Sequence, residues 1–461
     1  MGDREALADP APHGPGRTGD DDGHELSHHP TCGPYPAGER VTGVGAEKFG
    51  AIAHYHALVS DDDPLEPDDP LGGMPMFGDL ARLFGGAGLG GNEAARQLAM
   101  AVATEGQSEP NVDPVDRIRI EQLARVAELQ IAEATGLTVT TGALEIEAVN
   151  RAGWVQRSMD AYGPIIGAMS DALSAGMTEP DTDVPDDDPM ASMFAGLFSM
   201  MGPLMLSMTT GSMVGHLARR SLGVYDLPIP RPRSDRLFVV VPNIASFGDD
   251  WSLSIDDLTL WVCLNEVAHH AVLNVDHVRD RLLSLLRDHA GAFRPDPGAL
   301  EDRLGSIDLA AGPESLGALQ EVIGDPDAVL GVVQSDAQRE ILPYLAALVA
   351  AIEGYVDHVM DEVGSRMIES YPMLTEALRR RRVEADASDR FVERIFGLEL
   401  TQEQYDRGAA FVEGVLERGG AEGLARLWES EETLPTPNEI DAPGLWLARI
   451  DLPQPEPPPT G

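Results

Sequence analysis

From Asn92 onward, apolar residues recur at intervals of three and four. ARQLAMAVA and VDRIRIEQLARVAELQIAEATG (115–136) set an apolar face against a charged one, which predicts amphipathic helices, with Gly136 as the C-cap of the second. ALEIEAVNRAGWVQRSMDAYGPIIGAMSDAL keeps the same spacing and is expected to be helical as well. ILPYLAALVAAIEGYVDHVMDEVGSRM, TEALRRRRVEA and TQEQYDRGAAFVEGVLERGG carry the pattern through the second half. LFVVVP (237–242) departs from it: short, β-branched and bounded by charge and Pro242, it predicts a strand. Ser254 with Asp257 then offers a capping-box-like start for a helix running to about Asn274. The fold class expected is mainly α, with a short β element before that helix.

Segments outside this periodicity mark the borders. Residues 1–75 are rich in Pro, Gly, Asp and His without a sustained apolar period, so they cannot bury enough surface to offset their ordering entropy and read as a disordered acidic arm. A short amphipathic element, MFGDLARLF (76–84), and a Gly-rich hinge follow. One domain is expected over 76–450, with an acidic loop at 178–189 inside it and a disordered Pro-rich tail at 451–461. Residues 190–218 contain no Asp, Glu, Lys or Arg and are long enough to cross a bilayer. Gly202-Pro203 in mid-run, the many Ser, Thr and Gly, and the missing aromatic belt argue for a buried Met-rich helix pair instead, which Gly211 and Gly215 would let pack closely.

The formal net charge of −44 over 461 residues sets the chain against nucleic acid and anionic membrane surfaces, which its summed field repels. Cys32 and Cys263 lie far apart in segments of opposite character, so neither a structural disulfide nor a Cys-rich zinc site is expected. The opening MGDREALADPAPHGPG has no apolar core of a secretory signal, and a cytoplasmic protein is expected. Oligomeric state is not legible here.

Two stretches carry candidate metal chemistry. HELSHH places His24, Glu25 and His28 in a literal H-E-x-x-H, but it sits in the acidic arm with no apolar face to make a rigid helix. WVCLNEVAHHAVL (261–273) is the better setting with one letter changed. Asn265 and His269 stand at i and i+4 on one face with Glu266 beside them, while Trp261, Leu264, Ala268 and Leu273 supply packing. His270 points about 100° away from His269 around the helix, so it does not replace the missing imidazole, and nor does Cys263. His277 and His358 lie nearby in sequence and stay open as replacement ligands, although each is expected to be a surface or hydrogen-bonded histidine.

A zinc site of this type needs a third protein ligand, and AAIEGYVDHV offers Glu353 with Asp357 one turn later. On so apolar a helix flank the Glu353 carboxylate needs a metal, a histidine or an arginine as partner. In the glutamate-ligand zinc logic Glu353 binds the ion and Asp357 fixes the ligating imidazole, while the strand before the helix pairs with extended peptide. An ordinary buried histidine, His269, with Glu353 as its ion-pair partner satisfies the same letters without any metal.

The order of LARRSLGVYDLPIPRP, VVVPNIASF, DDLTLWVCLNEVAHHAVL, IEGYVDHV, FGLELTQEQYDRGAAFVEGVLERGG and LARLWESEETLPTPNEI resembles the zincin-like metallopeptidase family known from actinobacteria, over roughly residues 77–450. The resemblance implies a mostly helical zincin-like fold and a Zn2+ site. It assigns Glu266 as the general base activating a zinc-bound water, His269 and Glu353 as ligands, Asp357 as the imidazole's partner and Asn265 as the degenerate ligand position. Two functions follow as expectations. One is a zinc-dependent hydrolase acting on a peptide or protein. The other is an inactive relative that binds a peptide or protein partner, because an amide oxygen is a far poorer zinc donor than imidazole. The run Arg379–Arg382 is expected to be a solvated face that offsets local charge rather than a carboxylate site.

Overall fold

A helix that buries residues all the way round belongs in the centre of a bundle, and the 255–273 segment is such a helix. The structure, a computed structural model, describes residues 91–140, 142–176, 208–294, 334–383, 387–398 and 400–452, all within one compact unit, Pro75–Gly461. The acidic arm with HELSHH, the 76–84 element, the 178–189 loop and most of the Met-rich run and tail lie outside the described residues.

In chain order the elements are α1 (Gly91–Ala103), α2 (Pro114–Thr135), β1 (Glu145–Val149), α3 (Arg151–Gly176), a helical stretch at 208–220, β2 (Arg236–Val240), α4 (Val241–Trp251), α5 (Ile255–Leu273), α6 (Asp276–Gly291), α7 (Asp336–Met367), α8 (Tyr371–Val383), α9 (Ala387–Phe396), α10 (Gln402–Ala425) and α11 (Pro443–Ile450). The mainly α expectation holds. Gly136 caps α2 in the left-handed conformation, φ 66°, and the Ser254 side chain accepts from Asp257 N to start α5.

Two local readings change. Glu145–Val149, expected as helix, is a strand paired in parallel with β2, Ile146 against Leu237 and Ala148 against Val239. Its five residues are too few to show a helical period, and the partner that selects the strand lies some ninety positions away. The strand read at 237–242 ends at Val240; Val241-Pro242 instead open α4, Pro being well suited to a first helical turn. Nor is β2 an open edge for peptide at its end, because Val240 N donates to Leu222 O at 2.8 Å and only Arg236 of the strand is exposed.

Helix α5 lies between α2 and α7, and α7 crosses α10 and α6. Every residue of α7 from Leu345 to Val356 is buried, Glu353 included. At the α7–α10 crossing the backbones approach through Gly354 and Gly408, where a Cβ on either would run into the other helix's backbone. This close approach brings Tyr405 of α10 to the flank of α7 that holds Glu353. The 208–220 stretch meets α1 through Gly211 and Gly215, the close packing expected of them. Among the described residues no helix is long and apolar enough to cross a membrane.

His289 of α6 gives the fold an acid-sensitive point. It is 2 % exposed, and burial holds its imidazole down at about 4 against an ordinary 6.5. The unfolded chain takes up a proton near pH 6.5 that the folded chain refuses, so this contribution is full above that pH and is lost as pH falls toward 4. It amounts to about 3 kcal/mol. His289→Leu is expected to reduce the fall of melting temperature between pH 6.5 and 4; an unchanged slope would place the sensitivity elsewhere.

Candidate active site

Helices α5, α7, α8 and α10 and the segment 220–227 enclose a pocket of about 100 Å³ lined by Asn265, Glu266, His269, Glu353, Arg382 and Tyr405 among others. The sequence-predicted residues Asn265, Glu266, His269 and Glu353 therefore meet at one place, although 84 positions separate His269 from Glu353.

His269 is held at both ring nitrogens. Nδ1 lies 2.9 Å from the Asn265 carbonyl oxygen and Nε2 lies 3.3 Å from Glu353 Oε1. A carbonyl oxygen only accepts, so Nδ1 carries a hydrogen. An ionised carboxylate also only accepts, so a cation has to lie between Nε2 and Oε1: a proton, or a metal in its place. Burial alone pulls the imidazole pKa down, but the Glu353 charge beside it and the hydrogen bonds from both sides prevail, and it sits above 6.5. The Tyr225 ring stacks on His269 at 5.9 Å between centroids and 17° between planes, fixing the plane of the imidazole.

Zinc at about 2.0–2.1 Å from both donors of a tetrahedron would hold them about 3.3 Å apart, and the observed 3.3 Å between Nε2 and Oε1 meets that requirement. The Nδ1 contact to a backbone carbonyl is likewise the orientation a ligating histidine takes. Among the described residues, however, no three His, Cys, Asp or Glu side chains are grouped to hold an ion. His269 and Glu353 fit zinc as two donors, and the remaining position on the same pocket wall is the Asn265 amide.

Glu266 is 1 % exposed and is received by backbone. Val224 N donates to its Oε2 at 2.8 Å and Tyr225 N at 3.0 Å. A side chain at residue 223 would overlap the carboxylate, so Gly223 is what lets the 222–225 turn close over it. Burial, reinforced by the nearby Asp226 charge, pushes its pKa up to about 8 against the lowering effect of His269 and the two amides. That value suits proton exchange near neutral pH.

A sequence model of zincin-like metallopeptidases matches residues 92–447. The chain belongs to the zincin-like metallopeptidase family. Among solved structures, this family member is similar to a candidate hydrolase with a novel fold from Chloroflexus aurantiacus, at 24% identity and a TM-score of 0.51 over 78% of this chain and 99% of that one. That likeness supports the fold. No curated protein matches the chain.

The remaining predicted residues fall differently in this zincin-like frame. Asp357 does not reach the imidazole; it pairs with Arg382 at 3.3 Å, and the Asn265 carbonyl takes the orienting role expected of it. Residues one turn apart on a helix share a face only approximately, and Asp357 turns toward α8. His270 looks away from His269, its Nδ1 3.2 Å from Tyr225 Oη, and burial holds its pKa down at about 4. Cys263 is wholly buried in the core. The arginine run splits: Arg379 and Arg380 face solvent, but Arg381 and Arg382 line the pocket, against the expectation of one solvated face.

Sequence reasoning missed Tyr225, Asp226, Glu393 and Tyr405 as pocket residues. Only Tyr405 left a signal, an aromatic ring in the polar first turn of α10, and that signal names no partner.

Proposed function

We propose that this zincin-like family member is a zinc-dependent hydrolase acting on peptides. The observation carrying this reading is that His269 Nε2 and Glu353 Oε1, two zinc-type donors, stand 3.3 Å apart as a tetrahedral ion between them would require, with Nδ1 already committed to the Asn265 carbonyl. His269 and Glu353 would hold the ion, with the Asn265 amide oxygen in the position of a third donor. When bound, zinc supplies Lewis-acid polarisation of a carbonyl and makes water more acidic.

The chain's own residues do the rest. Glu266 takes a proton from the attacking water and returns it to the departing amine from its place on the pocket wall beside His269. The Val224 and Tyr225 amides keep its carboxyl in place during the exchange. Tyr225 keeps His269 in plane, and the apolar residues Leu222, Trp261 and Leu400 limit water in the pocket.

A second reading, a binding protein that keeps the pocket without catalysis, is supported by Asn265 in the first ligand position and by the burial of Glu266. Metal content and activity on a peptide library separate them. The hydrolase reading expects near-stoichiometric zinc, a lower melting temperature on chelation and loss of at least roughly a hundredfold in turnover for Glu266→Gln. Purified protein without zinc, and with no turnover to lose, would leave the binding reading.

A further inference from the structure

Each carboxylate of the pocket is already engaged. Asp226 takes Arg381 at 3.1 Å together with the Leu222 and Gly223 amides, Glu266 takes Val224 and Tyr225, and Glu353 takes His269. Glu393 has the Arg220 charge beside it and a hydrogen bond from the Leu400 backbone. Arg381 is similarly committed: besides Asp226 it donates to the Arg220 carbonyl, while Arg220 Nη2 donates back to the Arg381 carbonyl at 2.8 Å. These reciprocal bonds fasten α8 to the 220–226 segment.

Arg382 is held differently. Its contacts to Asp357 are 3.3 and 3.4 Å, longer than the about 2.7–2.9 Å of a fully formed charge-assisted bond. They use two of five N–H groups. Its guanidinium rests 4.1 Å from the centroid of the Tyr405 ring, which fixes its plane without consuming a donor. Burial disfavours its charge, but the nearby Tyr405, Asp357 and Glu353 outweigh that and keep it protonated. The guanidinium thus lines the same pocket as the His269–Glu353 pair; its two Nη atoms face the two Asp357 oxygens at 3.3 and 3.4 Å, so a bound carboxylate would use the remaining N–H groups or displace Asp357. Leu222, Trp261, Leu378 and Leu400 add apolar surface to the lining, suited to an aliphatic side chain beside the carboxylate.

We propose that Arg382, supported on the Tyr405 ring, binds the terminal carboxylate of a peptide whose last residue is aliphatic, so that the enzyme removes residues from C-termini. Cleavage would add one water across the last C–N bond, the hydroxyl to the carbonyl carbon and the proton to the released α-amine. The cleavage rests on the hydrolase reading above; the carboxylate binding does not.

Calorimetric titration of the full-length, chelator-treated protein with N-acetyl-leucine and with N-acetyl-leucinamide tests the binding without relying on activity. The acid is expected to bind and the amide to bind about tenfold more weakly, with a similar loss of acid binding in Arg382→Gln. Asp357→Asn removes the competing carboxylate and is expected to tighten the acid several-fold. Absent acid binding, equal affinity for acid and amide, or affinity unchanged in Arg382→Gln would overturn the proposal. If Arg382→Gln does not fold, Asp357→Asn decides: tighter binding supports the site and unchanged or weaker binding removes it. An inactive protein that still shows this pattern keeps the carboxylate site and removes only the hydrolase reading. A protein that cleaves amidated and free-acid peptides at equal rates does the reverse.

Discussion

Replacing Asn265 with histidine is expected to raise zinc affinity by roughly two orders of magnitude, since it exchanges a neutral amide oxygen for imidazole at one ligand position. The substitution changes only one side chain on a helix already in place. Position 265 is half-buried and lines the pocket with His269 and Glu353, so a new imidazole would enter open space rather than core. His269 keeps its Nδ1 contact, because the oxygen that receives it is the backbone carbonyl of residue 265 and survives the exchange. Zinc competition against a chromogenic chelator measures the gain. If activity rises with affinity, the natural protein has a weakened site; if affinity rises and activity does not, Glu266 is too firmly held by Val224 and Tyr225 to serve as base. An affinity that stays flat would mean that residue 265 does not face the His269–Glu353 pair.

Gly408→Val is expected to be the most destabilising change away from the pocket, costing roughly 3 kcal/mol or more through overpacking. A Cβ at 408 would run into the Ala350 carbonyl and the backbone of Gly354. Neither neighbour is a flexible side chain, so relief requires α10 to move off α7. That motion would carry Tyr405 away from Glu353 and loosen the support beneath Arg382. Melting temperature should fall by several degrees for a domain of this size. An unchanged melting temperature would show that the two helices do not approach at this point.

The helix layout was largely written in local pattern. Amphipathic spacing, Gly136 and Ser254 located α2 and α5 because helix burial and capping depend on neighbours three and four positions away. Glu145–Val149 escaped because a five-residue strand takes its identity from a partner, here β2. That Asn265, Glu266, His269 and Glu353 would come together was legible: the first three are placed by the N-E-x-x-H spacing on one helix, and Glu353 is a charge on an apolar flank that needs a partner. Asp357, expected beside the imidazole, faces Arg382 instead, because helical spacing gives a side chain's approximate direction and not which neighbour helix it meets. For the same reason the pattern makes Arg382 part of a solvated run and shows Tyr405 only as an aromatic ring in a polar turn, although both line the pocket.

The sequence by itself determined that a central apolar helix carries N-E-x-x-H and that a distant glutamate must find a positive partner. Only the tertiary structure decided that the partner is His269, that the amides of Val224 and Tyr225 receive Glu266, and that Arg382 turns inward over Tyr405. Periodicity and the cost of buried charge act within a helix or at one residue, so they can be read along the chain. Which donor meets which acceptor depends on how helices cross, and that is set by contacts such as Gly354 against Gly408, between positions with no local relation.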